Sequence, residues 1–133
     1  GEDTHAATRL LLSGKTIQYV AEAEVYHSHD YTMVEDFRRY FDIGVFHVRE
    51  PWIIDALGRA EGEGIRFMRS EISYLLKNAP WLLPSASARM ALKYTAYQMG
   101  KREKSISQGR KLRFSMNRAF WATDQCRGGS KDT

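Results

Sequence analysis

The sequence predicts a mainly α-helical protein, a helical bundle with one short β element. Apolar residues recur at intervals of three and four along most of the chain, Thr32 and Glu35 have the spacing of a capping box, and only residues 16–26 read as β structure. The chain has 133 residues, of which 43% are hydrophobic and 12% aromatic, so it can bury the core of one domain. This composition excludes a disordered or collagen-like chain.

The first helix is predicted over residues 4–13, because Ala7, Leu10 and Leu11 recur at helical spacing. Gly14 follows directly and is suited to a left-handed helix stop. The next segment, residues 16–26, contains the β-prone side chains of Ile17, Tyr19, Val20 and Val25. We therefore expect one bent strand or two short strands after the first helix.

A second helix is predicted to begin after Thr32, because the Thr32 hydroxyl and the Glu35 carboxylate can cap each other's backbone amides. The helix should end before Pro51, which cannot extend it. Its apolar stripe consists of Phe37, Phe41, Val45 and Val48. Such a stripe is more typical of a protein core than of a ligand cage.

Further helices are predicted over residues 52–60 and 65–79, and the segment 61–64 between them is either a break or a flexible turn. An apolar connector with prolines at positions 80 and 84 follows. Ser85 or Ser87 is expected to cap a last long helix that runs to Gly100. Residues 122–133 are expected to form a flexible tail.

The formal net charge of +4 is unevenly distributed, since residues 101–118 carry +6 and the remainder −2. A basic segment of this kind favours a polyanionic partner, such as anionic lipid, a pyrophosphate-linked acceptor or nucleic acid, although a solvated helix end remains an alternative. The candidate membrane- or acceptor-binding residues are Trp81, Lys101, Arg102, Lys104, Arg110, Lys111 and Arg113. Trp81, together with Trp52 and Trp121, could equally belong to the helical core.

The sequence predicts a cytoplasmic protein that can lie peripherally on the inner face of the cell membrane. No apolar run approaches the roughly 20 residues that span a bilayer, and no secretory signal pattern opens the chain. Cys126 is the single cysteine, so it excludes an intramolecular disulfide and fits a reducing compartment.

The acidic pair Glu2 and Asp3 is the main catalytic candidate. Free amides and the helix dipole at the start of a helix keep a carboxylate ionised, which suits a general base at neutral pH. The alternative is that Asp3 is only the N-cap of the first helix.

His27 and His29 are the metal-binding candidates. They lie two residues apart on the predicted strand, so both imidazoles would leave the same face. A divalent cation would need oxygen ligands in addition. The alternative is that at least one of the two histidines is structural.

Several of these features occur together and in order: Glu-Asp before a helix, the Gly14-Lys15 turn, a strand with Tyr19-Val20, the Glu22-Ala23 step and the closing Tyr26-His27. In this order they resemble the acceptor side of family 2, inverting, nucleotide-sugar-dependent glycosyltransferases. Residues 61–67 and 114–121 look like the helical tail of bacterial rhamnosyltransferase-type members.

The resemblance implies a C-terminal fragment of such an enzyme: residues 1–31 would end an α/β glycosyltransferase domain, residues 32–121 would form a C-terminal helical region and residues 122–133 its tail. It implies that Asp3 is the general base and that the donor is a nucleoside-diphosphate sugar, with rhamnose as the candidate sugar. A glycan or lipid-linked acceptor and a divalent cation, Mg²⁺ or Mn²⁺, near His27 or His29 are implied as well.

On this interpretation the fragment alone would be inactive and would not bind nucleic acid. Its strands would expose an unpaired sheet edge, for which homo-oligomerisation is the expected remedy. Two alternatives remain at this point: a non-catalytic basic helical module that binds nucleic acid or anionic membrane, and a structural oligomerising domain.

Overall fold

The computed structural model of the protein describes residues 2–25, 30–58 and 61–128, with side chains at 3–25, 30–58 and 64–123. This part of the chain is helical throughout, apart from its connecting segments. Its α-helices are α1 (Glu2–Leu12), α2 (Met33–Arg49), α3 (Pro51–Leu57), α4 (Glu61–Asn78), α5 (Leu83–Lys101), α6 (Gln108–Phe114) and α7 (Arg118–Gly128). Short 3₁₀ turns at Pro80–Leu82 and Glu103–Ser105 precede and follow α5.

The pair α2 and α5 forms the centre of the fold. The predicted capping box starts α2: the Glu35 amide donates to the Thr32 hydroxyl at 3.3 Å, and the Thr32 amide donates to the Glu35 carboxylate at 2.8 Å. Phe41 and Val45 of α2 are buried against Ala96 of α5. The apolar stripe of α2 is therefore core, as predicted.

Helices α6 and α7 close this core on the side of the aromatic residues. The Phe114 ring packs edge-on against Phe37 and Phe41, with centroid distances of 5.4 and 5.8 Å. Trp121 is buried, and its ring centroid lies 6.5 Å from that of Phe41. Of the three tryptophans, Trp121 thus belongs to the core.

Helix α1 packs on α3. The two helices were predicted over residues 4–13 and 52–60, whereas they run from Glu2 to Leu12 and from Pro51 to Leu57. Gly14 has φ of 77°, the left-handed conformation expected after the end of α1. Pro51 occupies the first position of α3, where its missing N–H costs nothing, so it starts a helix as well as ending the preceding one. Thr8 of α1 and Ile53 of α3 are buried.

The β element predicted over residues 16–26 is wrong for residues 16–25, since no strand occurs in the residues that the structure describes, and residue 26 lies outside them. A strand needs backbone hydrogen bonds to a neighbouring strand, whereas the Ala23 amide donates locally, to the Val20 carbonyl at 3.2 Å. Tyr19 and Val25 are 90% and 84% exposed, so β propensity has no packing to support it. The sheet edge expected to drive oligomerisation is therefore not present in this range.

Two smaller boundaries also differ from the prediction. Helix α5 begins at Leu83, before the predicted cap residues, and has no side-chain cap. Pro84 fixes the backbone of its first turn. Ser85 lies inside the helix, where its hydroxyl donates to the Leu82 carbonyl at 2.9 Å. The segment 61–64 belongs to α4 and is not a break, while residues 59 and 60 lie outside the described part. Helix α7 continues to Gly128 through the first residues assigned to the tail.

Candidate functional site

The candidate base Asp3 lies in the first turn of α1, one residue after the helix begins. This position differs from the N-cap alternative, because an N-cap residue precedes the first helical residue. The Asp3 side chain is exposed to solvent. Glu2 opens α1, and its side chain lies outside the described residues.

The turn that carries Asp3 is held by α3. The His5 ring meets the Trp52 ring edge-on at a centroid distance of 5.2 Å, and the Trp52 indole N–H donates to the Glu50 carboxylate at 2.6 Å. Thr8, one turn later, is fully buried, and its hydroxyl donates to the Thr4 carbonyl at 2.6 Å. These contacts fix the direction of α1 while leaving the Asp3 carboxylate open to a ligand.

The metal candidates His27 and His29 lie outside the described residues. Within residues 3–25, 30–58 and 64–123, no group of three or more His, Cys, Asp or Glu side chains is placed to hold a metal ion. The metal site remains a prediction.

The basic segment 101–118 divides into exposed and interior cations. Lys101, Arg102, Lys104, Arg110 and Arg113 are exposed. Lys111 instead points inward, where its ammonium lies 2.6 Å from the Glu103 carboxylate and 5.0 Å from the centre of the Trp121 ring. Lys111 thus connects α6 and α7 to the 3₁₀ turn after α5, whereas the other five basic candidates are open to solvent.

Trp81 does not join the basic segment in one site. It precedes α5, whereas Lys101 ends it, and a helix of 19 residues is about 28 Å long. Trp81 is 74% exposed, in contrast to the buried Trp121 and the half-buried Trp52. Trp81 and Lys101 therefore lie at opposite ends of α5.

Two buried carboxylates that the sequence analysis did not single out hold the helices together. Glu103 is 3% exposed and pairs with Arg49 at 3.2 Å as well as with Lys111. Asp36 is 4% exposed and pairs with Arg89 at 2.6 Å and with Lys93 at 3.7 Å. The partners of Asp36 are more than 50 residues away, so no local sequence pattern could have revealed them.

Two titratable groups on α2 have shifted pKa values. Burial raises the pKa of Asp42, although the Ser115 hydroxyl and the amides of Met116 and Asn117 donate to its carboxylate and oppose the shift. Burial, followed by the charge of Lys101, lowers the pKa of His47, whose Nδ1 lies 3.1 Å from the Tyr97 hydroxyl. Both groups connect α2 to neighbouring segments and lie apart from Asp3 in the chain.

An open groove of about 370 Å³ runs beside α2. Its walls are apolar and two guanidinium groups line it; the lining residues are Met33, Val34, Phe37, Arg38, Leu92, Arg113 and Phe114. The Arg38 Nε donates to the Arg113 carbonyl at 3.2 Å, which joins α2 to α6 at this point. Arg113 is thus the one member of the predicted acceptor-binding set that lines this groove.

The chain is similar to two rhamnosyltransferases. It is 46% identical over 120 residues to the O-antigen chain rhamnosyltransferase WbaN of Salmonella anatum, and 45% identical over 120 residues to the O-antigen chain rhamnosyltransferase RfbN of Salmonella typhimurium. Each match covers 90% of this chain and 38% of the relative. No family model matches the chain, and no solved structure matches it significantly. The rhamnosyltransferase-type resemblance of the sequence is therefore supported over most of its length by two named relatives.

Proposed function

We propose that this chain is part of a glycosyltransferase that moves a sugar from a nucleoside-diphosphate donor to a glycan or lipid-linked acceptor in the synthesis of a cell-surface polysaccharide. Rhamnose is the candidate sugar. The observation that carries the proposal is the identity of 45–46% across 90% of the chain to two O-antigen chain rhamnosyltransferases. The chain spans 38% of the length of these relatives. The placement of the chain at the C-terminal end of a family 2 enzyme, after an α/β domain, is part of the proposal.

In this reaction Asp3 would be the general base. Its carboxylate is exposed at the start of a helix whose orientation is fixed by the contact of His5 with Trp52, so an acceptor hydroxyl can approach it. Removal of the hydroxyl proton raises the nucleophilicity of the oxygen while it attacks the anomeric carbon and the bond from sugar to phosphate breaks. Attack from the face opposite the leaving diphosphate inverts the anomeric centre.

A divalent cation, Mg²⁺ or Mn²⁺, would neutralise the charge that develops on the leaving diphosphate. His27 and His29 are the residues of this chain proposed to contact the cation or the diphosphate. Carboxylate or phosphate oxygens would complete the coordination, because hard cations of this type prefer oxygen ligands.

A peripheral location at the inner face of the membrane is proposed as well. The 74% exposure of Trp81 supports it, because an indole with one polar N–H is favoured at the depth of lipid headgroups. No helix among the described residues combines the length and the apolar character needed to cross a bilayer. The same exposed tryptophan favours a membrane over nucleic acid as the partner of a basic helical module.

The transfer reaction is tested with the longest form of the protein that carries this chain. Sugar transfer from nucleoside-diphosphate rhamnose to an acceptor should fall by roughly 10²–10⁴-fold in an Asp3→Asn variant, the range for loss of a general base. The matched control is Asp55→Asn, since Asp55 is an exposed aspartate of α3 with no assigned role, and it should retain activity.

Normal turnover of the Asp3→Asn variant would refute the assignment of the base. Absence of transfer from any sugar nucleotide by the unmodified protein would refute the function itself. Retention of the anomeric configuration in the product, read by NMR, would contradict the inverting mechanism.

A further inference from the structure

Helix α4 has an apolar face without a partner in the described part of the chain. Four residues of this face, here called the α4 stripe, follow one another at intervals of three and four and therefore lie on one side of the helix: Ile65, Met68, Ile72 and Leu76. Their exposed fractions are 54%, 41%, 37% and 58%. Single exposed apolar residues are ordinary, but an aligned set marks an interaction surface.

The position of α4 in the fold explains why this face is open. Its contacts to the described residues are mainly with the 3₁₀ turn Pro80–Leu82 and with α5. Helices α2 and α5, by contrast, bury their facing sides against each other. These contacts thus cover the α4 stripe only in part, and each of its four side chains keeps more than a third of its surface exposed.

Positive charge lies along one border of the α4 stripe. With about 100° of rotation per residue, Arg69 falls next to Ile65 and Leu76 on the helix surface, and Arg66 and Lys77 follow on the same side. Between positions 64 and 78 these three cations stand against Glu71 alone. Long basic side chains beside an apolar face keep their charge in water while their methylene groups cover apolar surface.

Trp81 and Leu82 extend the apolar surface beyond the end of α4. Both are exposed, at 74% and 46%. They follow α4 after Ala79 and Pro80, within the 3₁₀ turn that α4 itself contacts. An apolar helix face with cations on its border and a tryptophan at its end is the arrangement of helices that lie in the plane of a membrane surface.

We propose that the α4 stripe and Trp81 form a lipid-binding surface, which lies in the interface of a membrane that contains anionic lipids. The apolar side chains enter the boundary between headgroups and acyl chains, the indole lies at headgroup depth, and Arg69 and Lys77 contact lipid phosphates. The inference deepens the peripheral location proposed above and does not depend on the transfer reaction. It assigns membrane contact to α4 and its end, whereas Lys101, where the basic segment begins, lies at the other end of α5, about 28 Å along that helix.

The test measures binding of the purified protein to vesicles of phosphatidylcholine that contain about one-third phosphatidylglycerol, by co-sedimentation. Ile65→Asp should lower the partition coefficient by roughly tenfold or more, because it removes one isoleucine from the interface and adds a negative charge. Ile17→Asp is the matched control, since Ile17 is also 54% exposed, and it should bind as the unmodified protein does. Because both side chains are exposed, neither substitution should disturb the fold, and circular dichroism spectra of the two variants check this.

A second pair of variants tests the charges. Arg69→Glu should weaken binding to the anionic vesicles more than Arg9→Glu, which makes the same charge change on the exposed surface of α1. The Trp81 fluorescence should shift to shorter wavelength on binding, and Trp81→Phe should remove that change.

Equal binding of the Ile65→Asp and Ile17→Asp variants would overturn the proposal. So would a result in which Ile65→Asp abolishes self-association in sedimentation equilibrium without changing vesicle binding, because a second copy of the chain would then cover the stripe. A protein that transfers sugar but does not bind vesicles contradicts only the lipid surface. One that binds vesicles through the α4 stripe but transfers no sugar contradicts only the reaction.

Discussion

Gly44 of α2 and Gly100 of α5 meet backbone to backbone where the two helices cross. A Cβ atom on Gly100 would lie 3.0 Å from the Gly44 Cα and would overlap the Phe41 carbonyl oxygen. A Cβ atom on Gly44 would overlap the Tyr97 carbonyl oxygen and lie 3.0 Å from the Lys101 amide nitrogen. The obstructing atoms are backbone, so no side-chain rotation can relieve the contact.

The first prediction concerns this crossing. Gly44→Ala should lower the free energy of unfolding by about 2–3 kcal/mol, since the two helices must separate to admit a methyl group. Gly109→Ala is the control: Gly109 lies within α6 with no atom in the way of a Cβ, so alanine should leave stability unchanged or raise it by up to about 1 kcal/mol. Urea denaturation followed by circular dichroism measures both, and equal stabilities of the two variants would contradict the close contact.

The second prediction concerns the buried carboxylate of Glu103. Glu103→Gln should destabilise the protein by about 3 kcal/mol or more, because Lys111 would remain in the interior without its counter-charge. Adding Lys111→Met should recover part of the loss, since the unpaired ammonium is then removed. The exposed Glu24 provides the control in a Glu24→Gln variant. A change of less than about 0.5 kcal/mol in Glu103→Gln would show that the cluster is not a structural element.

The third prediction concerns the pH dependence of stability at Asp42. Burial raises its pKa in the folded protein above the ordinary value of 3.8, so folding favours the protonated form. The contribution of protonated Asp42 to the free energy of unfolding is fully present below pH 3.8 and is lost as the pH rises through the raised pKa. Asp42→Asn keeps an oxygen to accept from the Met116 amide but does not titrate.

Denaturation of the wild type and of Asp42→Asn across acidic and neutral pH measures this effect. The stability of the wild type relative to the variant should fall as the pH rises. A difference that is constant, or that grows with pH, would contradict the raised pKa.

The fourth prediction concerns His47 and Lys101. Burial and then the charge of Lys101 hold the His47 pKa below 6.5, so the neutral ring is favoured in the folded protein. Its contribution to stability is present above pH 6.5 and is lost as the pH falls through the lowered pKa. Lys101→Met should raise the His47 pKa part of the way towards 6.5 in an NMR titration, whereas Lys104→Met, at an exposed lysine nearby in the chain, should not.

The regular elements could be predicted from the sequence where the signal is local. Thr32 and Glu35 cap each other within one helical turn, and Gly14 alone provides the left-handed stop after α1. The stripe of Phe41 and Val45 repeats at helical spacing, so its burial followed from periodicity. The β element predicted over residues 16–26 does not form at residues 16–25, because a strand depends on a neighbouring strand, which β propensity does not supply.

The sequence predicted individual residues of the candidate site but not the contacts between them. The sequence indicated Asp3 at a helix start, but the His5–Trp52 contact that orients this helix joins residues far apart in the chain. It also grouped Trp81 with the basic segment, whereas the length of α5 separates Trp81 from Lys101. It counted Lys111 among the membrane- or acceptor-binding candidates, although Glu103 holds it in the interior. His27 and His29 lie outside the described residues, so the metal site stays a prediction.

The sequence by itself determined the helical character of the protein, the start of α2, the end of α1 and the likeness to rhamnosyltransferase-type enzymes. These features depend on residues that are neighbours in the chain or on the order of motifs along it. The tertiary structure decided which carboxylates and cations pair, why Gly44 must face Gly100, and which apolar face of α4 stays open. The reason is that burial, pairing and close approach depend on distances between residues that only the folded chain brings together.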